Sequence, residues 1–363
     1  MTLPAPPCRA EPPGPASTAA VITGLGGCLP PTKITNGQLV REGLDTSDEW
    51  IRTRTGIRTR HRAGPGVSTA DLAVAAGRAA LHSASRTQTG IVLVATTTPD
   101  RLCPATGPEV ATRLGLTGTP AFDISAVCSG FLYAANVASA LLTSGAFDSA
   151  LVIGAETYST IIDPRDRNTA VIFGDGAGAV CLERGSAADP GAFLRFDLGS
   201  DGARSDLIAI ADGGSRSPHR GEPPPADRFF RMRGPEVYKQ AVLRMTSSAR
   251  TVLALAEWPL PAVEAFIGHQ ANQRILDAVA QRLRVPPERC HGNLRHVGNT
   301  AAASIPLAMA DAAARHVVEP GARTLLTAFG GGLTWASAAM TWPAAATTYL
   351  LPERRPPQGD HHE

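Results

Sequence analysis

Short, largely apolar runs separated by Ala-rich helical patterns constrain this chain more than any other feature. Continuous apolar runs suit strands covered on both faces, not strands that alternate between core and water. In the first half these runs are Ala20–Thr23, Ile91–Ala95, Ala121–Ile124, Ala150–Gly154 and Ala177–Leu182. In the second they are Ala192–Asp197, Ala265–Gly268, Thr324–Ala328 and Ser337–Thr341. Helical spacing predicts helices over Thr69–His82, Ser129–Ser144, Glu236–Ala256, Ala271–Leu283 and Ala301–Val317. Strand and helix in alternation give an α/β class.

The two halves repeat one device. In the first, a strand leads through Ala126-Val127-Cys128-Ser129-Gly130 into a helix. In the second, Val297-Gly298-Asn299-Thr300 leads into another. Two turns in matching positions hint at an internal duplication. The expected division is a Pro-rich tail over 1–18, halves over 19–190 and 191–345, and a polar tail over 346–363. The segment Asp212–Asp227 is rich in Gly, Pro, Ser and Arg and reads as an exposed loop.

Composition excludes several function classes. A net charge of +2 gives no whole-chain pull towards nucleic acid. No apolar run approaches the roughly 18 residues of a membrane span, so no membrane partner is expected. The six cysteines are scattered without C-x-x-C spacing, which disfavours a disulfide framework or a metal site and suits reduced thiols in the cytoplasm. Gly24-Leu-Gly26-Gly27 lacks the third glycine of a dinucleotide fingerprint, and Gly174-Asp-Gly176-Ala-Gly178 lacks the Lys-Ser/Thr of a phosphate loop.

Four places could carry chemistry. Cys128 lies where a strand ends and a helix begins, and the unpaired N–H groups there favour a thiolate, the nucleophile for a thioester. By itself it equally fits a buried structural cysteine. His269 leaves an apolar strand in Ala265-Phe-Ile-Gly-His-Gln-Ala-Asn, where a satisfied core imidazole is the commoner fate. Asn299 in Gly298-Asn-Thr also suits a plain turn. Gly330-Gly331-Gly332 could present backbone N–H groups to an oxyanion, or simply make a tight turn. Their co-occurrence raises the odds of chemistry.

Taken in order, several stretches resemble the β-ketoacyl-acyl-carrier-protein synthase III family of the thiolase superfamily. They are Thr46-Ser-Asp-Glu-Trp-Ile-Arg-Thr-Arg-Thr-Gly-Ile-Arg, the Cys128 segment, Ile172-Phe-Gly-Asp-Gly-Ala-Gly-Ala, Gly268-His-Gln-Ala-Asn, Gly298-Asn-Thr-Ala-Ala-Ala-Ser and Ala328-Phe-Gly-Gly-Gly-Leu-Thr-Trp. The resemblance runs from about Ala20 to Thr341. It implies a five-layered αβαβα fold of two similar halves and a homodimer. It implies a catalytic set of Cys128, His269 and Asn299, with the N–H groups of Cys128 and Gly331 as the oxyanion hole.

The same resemblance places Trp50 and Arg167 at the adenine ring of coenzyme A, with Thr46 beside them. It places Arg54, Asn272 and Arg274 near the phosphate and pantetheine arm, and Arg274 also in the carrier-protein docking patch. Acyl-coenzyme A and malonyl-acyl carrier protein are then the substrates, with no metal, flavin or nicotinamide. The chain departs from the family's pattern at Cys103, where a large apolar residue is usual at the mouth of the acyl pocket across the dimer interface. It departs again at Arg233 and Pro235, and in the length of the loop Asp212–Asp227. The rival readings are an acyltransferase of the same fold that forms no carbon–carbon bond, a cysteine protease, and a non-catalytic binding partner.

Overall fold

The computed structural model describes residues 17–217 and 228–352. The expected N-terminal tail up to residue 16, positions 218–227 of the polar loop and the end from 353 lie outside the described residues.

The first half runs through β1 (Thr18–Cys28), β2 (Thr32–Thr35), α1 (Asn36–Arg41), α2 (Asp48–Thr55), β3 (Thr59–Arg62), α3 (Thr69–Ser83), β4 (Ile91–Ala95) and α4 (Gly107–Arg113). It continues with β5 (Ala121–Ile124), α5 (Gly130–Thr143), β6 (Ser149–Glu156) and β7 (Gly176–Ser186). The second half begins with β8 (Ala192–Ser200), β9 (Ile208–Ala209), β10 (Arg231–Met232), α6 (Gly234–Leu255), β11 (Ala265–Gly268) and α7 (Gln273–Leu283). It ends with α8 (Leu294–Val297), α9 (Ser304–Ala314), β12 (Arg323–Gly330), β13 (Thr334–Thr341) and β14 (Thr347–Tyr349).

The strand pairing carries the duplication. In the first half β4 is parallel to β6, β6 antiparallel to β7, and β7 antiparallel to β1. In the second β11 is parallel to β12, β12 antiparallel to β13, and β13 antiparallel to β8. Beside β4 stands the parallel strand β5, and at the same place beside β11 Cys290 makes a single parallel bridge to Phe266. The halves join where β1 meets β8, at Ala20–Phe193 and Val21–Ala192.

Five layers result. The outer helix α3 covers β1, β7 and β6, while α6 covers β13, β12 and β8, with α7 packed against α6. Between the sheets lie α5, which touches strands of both halves, and α9. Both central helices are apolar nearly all round, as a helix enclosed on every side must be. Phe131, Leu132, Ala135 and Ala138 of α5 share one core cluster with Ile305, Ala308 and Met309 of α9.

Local chemistry sets the boundaries. Ser68 and Asp71 form a reciprocal capping box at the start of α3. The helix expected from Ala271 begins two residues later because the Asn272 side chain caps it. The helix expected over Ala301–Val317 divides into a tight turn, Ala301–Ala303, and α9. Ala301 stands at φ +44°, which a continuous helix cannot accommodate. The C-terminal tail expected from 346 is corrected: Thr347–Tyr349 forms β14, parallel to β1.

Candidate active site

Cys128 sits in a tight turn, Val127–Ser129, between β5 and the N-terminus of α5. Val127 stands at φ +48°, a left-handed conformation that is a genuine outlier for a β-branched residue. His269 follows β11, fully buried. Asn299 lies between α8 and the turn before α9, and Phe173 makes an isolated parallel bridge to it. All three side chains line one cavity of about 730 Å³. The cavity wall also includes Phe173, Phe230, Met245, Ile275 and Phe329, so the reacting groups face an apolar chamber.

Each polar side chain is held by one atom and leaves another free. His269 Nδ1 lies 2.6 Å from Ser304 Oγ, which leaves Nε2 for the cavity. Asn299 Oδ1 accepts from Ala301 N–H at 2.8 Å, which leaves the Asn299 amide N–H groups. Ser304 is the residue that sequence reasoning missed. It closes the quoted stretch Gly298-Asn-Thr-Ala-Ala-Ala-Ser, and nothing in that stretch signals a contact with His269.

The glycine turn is strapped to the Cys128 turn. A Cβ on Gly330 would lie 2.8 Å from Cys128 N and 3.0 Å from Ala126 O, so only glycine permits this approach. Thr334 Oγ1 lies 2.7 Å from Ser129 Oγ and 2.9 Å from Gly331 O, and ties the same two segments together.

The electrostatics correct one expectation. The turn into α5 was expected to favour a thiolate at Cys128. Burial raises the thiol well above its usual range instead, the charge of Glu156 adds to this, and only the residue's own backbone N–H opposes it. Desolvation therefore favours the thiol form of Cys128. Burial pushes His269 down to about 3 and keeps it neutral. Burial pushes Glu156 up to about 7, against hydrogen bonds from Thr98 and Thr97.

The expected coenzyme A residues divide. Trp50, Arg54, Asn272 and Arg274 line the same cavity as Cys128, His269 and Asn299. Arg167 does not, but its guanidinium lies 5.2 Å from the Trp50 ring centre, with Arg54 at 6.0 Å. A purine between Trp50 and Arg167 needs two stacking distances, about 7 Å. The clamp is therefore closed here, with Arg167 also bonded to Asp45 O at 3.2 Å. Thr46 is half-buried outside the cavity wall, and its Oγ1 is buried without a partner.

Asn272 has a structural task besides the expected one. Its oxygen caps α7 through Arg274 N–H, and its amide donates to Arg54 O at 3.1 Å. Arg274 stacks over Tyr238 at 5.8 Å. Pro235 lines the cavity at the first turn of α6. Cys103 lies in an exposed loop and does not line the cavity of this chain.

Among the described residues no cluster of His, Cys, Asp or Glu could hold a metal ion, and no helix is long and apolar enough to cross a membrane.

Known proteins resemble this chain in sequence and fold. Family models described as 3-oxoacyl-[acyl-carrier-protein] synthase III match residues 122–202 and, for the C-terminal part, 246–342. β-Ketoacyl-[acyl-carrier-protein] synthase III 2 of Streptomyces coelicolor is 58% identical over 326 residues, 90% of this chain and 94% of that protein. The chain belongs to the β-ketoacyl-acyl-carrier-protein synthase III family. The crystal structure of the 3-oxoacyl-(acyl carrier protein) synthase III from Pseudomonas aeruginosa matches with a TM-score of 0.85 at 46% identity, covering 90% of this chain and 99% of that one. The priming β-ketosynthase from the R1128 polyketide pathway matches with a TM-score of 0.84 at 31% identity, covering 93% and 99%. The five-layered thiolase-like fold expected for the family is the fold observed.

The two buried titrating groups predict opposite pH effects on stability. An unfolded imidazole takes up a proton below about 6.5 that the folded His269 refuses until about 3, so stability falls as pH drops through that window. Folded Glu156 keeps a proton up to about 7 that the unfolded carboxyl releases above about 4.5, so stability falls as pH rises through that window. Urea denaturation at pH 5, 6 and 7 reads both: His269→Gln should lose part of the acid-side decline, and Glu156→Gln should show a steeper gain between pH 5 and 7 than the native chain. Identical profiles in all three proteins would contradict both assignments.

Proposed function

We propose that the chain is an acyltransferase that loads an acyl group onto Cys128 from acyl-coenzyme A, or from an acyl carrier. It then joins that group to malonyl-acyl carrier protein by decarboxylative Claisen condensation, the starting reaction of fatty acid or polyketide synthesis. The observation that carries this reading is that Cys128 from one half and His269 and Asn299 from the other line a single apolar cavity.

In the first step the Cys128 sulfur attacks the thioester carbonyl. The oxyanion faces the N–H groups of Cys128 and Gly331, and the thiol proton leaves with the sulfur of coenzyme A. The close approach of Gly330 to Cys128 N supports this pairing of donors. In the second step the malonyl thioester oxygen accepts from His269 Nε2–H and the Asn299 amide. Carbon dioxide departs, the enolate carbon attacks the acyl-Cys carbonyl, and collapse expels the Cys128 sulfur as a thiolate, which takes a proton from water. A neutral imidazole with Nδ1 accepting from the Ser304 hydroxyl is the form that carries Nε2–H. Burial of His269 supports that form, because it penalises the imidazolium.

Trp50, Arg167 and Arg54 are the proposed adenine and phosphate contacts, with Thr46 beside them and Asn272 on the pantetheine side. Arg167 swings aside to admit the purine. The cycle needs only thioester substrates. Thioester substrates and the absence of disulfides among the described cysteines support a cytoplasmic setting for this activity.

A second copy of the chain is the proposed partner in a homodimer. β5 is the end strand of the sheet, its Phe122 is 40% exposed, and Leu102 beside Cys103 is 89% exposed. An apolar side chain so bare at a sheet edge supports coverage by another subunit. Cys103 would then reach the acyl pocket of that partner. Sedimentation should give twice the chain mass, and a Leu102→Glu chain should sediment lighter; a monomeric native protein removes this part of the proposal.

Two half-reactions test the chemistry. Cys128→Ala should form no acyl-enzyme by intact mass with any acyl-coenzyme A. His269→Ala and Asn299→Ala should keep much of the acylation but release carbon dioxide from malonyl-carrier about 10²–10³-fold more slowly, the usual cost of one preorganised donor. Acyl transfer to a small acceptor, with no chain-extended product, would favour the acyltransferase of the same fold.

Carrier docking is tested at Arg274. Arg274→Glu should weaken use of the carrier-bound substrate more than use of a free malonyl thioester, and the deficit should shrink in high salt, because the proposed carrier surface is acidic. Equal, salt-independent losses for both substrates would put Arg274 outside the docking patch.

A further inference from the structure

Arg60 of β3 is fully buried. Its hydrogen bonds all go to neutral acceptors: Nη1 donates to Asn36 Oδ1 at 2.8 Å and Ile34 O at 3.4 Å, and Nη2 donates to Val171 O at 2.6 Å. Among the described residues no carboxylate pairs with it, and its Nε has no partner. Burial, with some repulsion from Arg62, pushes it down to about 10, which still leaves it charged at neutral pH. A buried cation without a counter-charge is costly, and a methionine or leucine of similar volume would pack the same space. The position therefore calls for a reason other than filling the core.

That reason lies along the wall it supports. Val171, Ile172 and Phe173 line the cavity. Directly after the Val171 carbonyl held by Arg60, Ile172 O accepts from Asn299 N–H at 3.0 Å, and Gly174 N–H donates to Asn299 O at 2.9 Å. Asn299 thus hangs by both backbone groups on the segment that Arg60 grips. Arg60 also touches the other side of that residue. A Cβ on Gly298, which stands at φ +76°, would lie 3.0 Å from Arg60 Cβ and 3.1 Å from Ile172 O. The Arg60 stem and the 171–174 segment together fix where residue 299 begins.

We infer that Arg60 is a positioning residue for the condensation step, which it serves by holding the Val171–Gly174 segment and so aiming the Asn299 amide into the cavity. This rests on the proposed role of Asn299. Acylation of Cys128 does not use that amide, so the two half-reactions respond differently to Arg60.

The test measures both half-reactions on the full chain, with thermal unfolding as a check on folding. Arg60→Met keeps volume and removes the donors; Arg60→Lys keeps the charge and loses the fork. Native enzyme that forms the acyl-enzyme and releases carbon dioxide first establishes the underlying reading. Against that baseline Arg60→Met should acylate within about threefold of native yet release carbon dioxide at least tenfold more slowly, and Arg60→Lys should show the same split to a smaller degree. Adding Asn299→Ala to Arg60→Met should cost much less than it costs the native enzyme, because an amide already out of place has little left to lose. Should Arg60→Met not fold, Arg60→Lys with and without Asn299→Ala decides the matter alone. Equal loss of both half-reactions, no loss of either, or full additivity with Asn299→Ala overturns the inference and leaves Arg60 a packing residue.

Discussion

The burial of α5 and α9 between two sheets is the constraint on which the rest of the molecule depends. A helix enclosed on all sides has no freedom to slide or rotate without opening voids, and interiors are packed like crystals. Small residues let the two helices sit between the sheets: Ala134, Ala135 and Ala138 on α5, and Ala308, Ala310 and Ala312 on α9, are all buried. The turns that enter these helices carry Cys128 and Asn299. Packing far from the chemistry therefore fixes where the chemistry stands. The active site has little need of bonds between its own members, and each member is instead tied to the scaffold behind it: His269 to Ser304, Asn299 to Ala301 and to the 172–174 segment, the Cys128 turn to Thr334 and Gly330.

Burial also dominates the electrostatics. It acts on a cysteine, a histidine and a glutamate in one small region, and in every case it favours the neutral form. For His269 this serves the proposed enolate step, which needs an N–H donor and not an imidazolium. For Cys128 it works against the resting thiolate, so reactivity must come from donors that meet the oxyanion as it forms rather than from charge stored beforehand. An apolar chamber strengthens such donors, because no water competes for the developing charge.

Much of this was legible in the sequence, and the pattern of misses is physical. Ile91–Ala95 and Ala265–Gly268 are strands with the bounds expected, because a strand covered on both faces is apolar throughout, while Ala121–Ile124 keeps its expected bounds at the sheet edge with Phe122 exposed. The region from β2 to β3 was not read as structured, although its motif was. Its strands and helices are four to eight residues long and mix buried with exposed positions, so no period emerges. That region holds Trp50, Arg54 and Arg60. Motif matching found the first two and could not find the third, whose role depends on a contact with Val171 more than a hundred residues away. The burial that raises Cys128 is hidden for a similar reason: a helix terminus is visible in sequence, and the depth of a cavity is not.

The duplication supplies a last argument about how the two turns came to differ. Val127 and Ala301 occupy matching places, each just before a central helix, and each has a positive φ, +48° and +44°. Such a backbone costs of order 1–3 kcal/mol in a residue other than glycine, and it persists only where the surroundings hold it in place. In the first half the kink leads directly into Cys128, the proposed nucleophile, which lines the cavity. In the second the kinked residue points its own N–H back to Asn299 Oδ1, which leaves the Asn299 amide N–H groups for the cavity. The same strained turn thus leads into Cys128 in one copy and holds the Asn299 side-chain oxygen in the other. Glycine would adopt the same φ at either position without that cost, so at both turns it is the packing around a non-glycine residue that imposes the conformation.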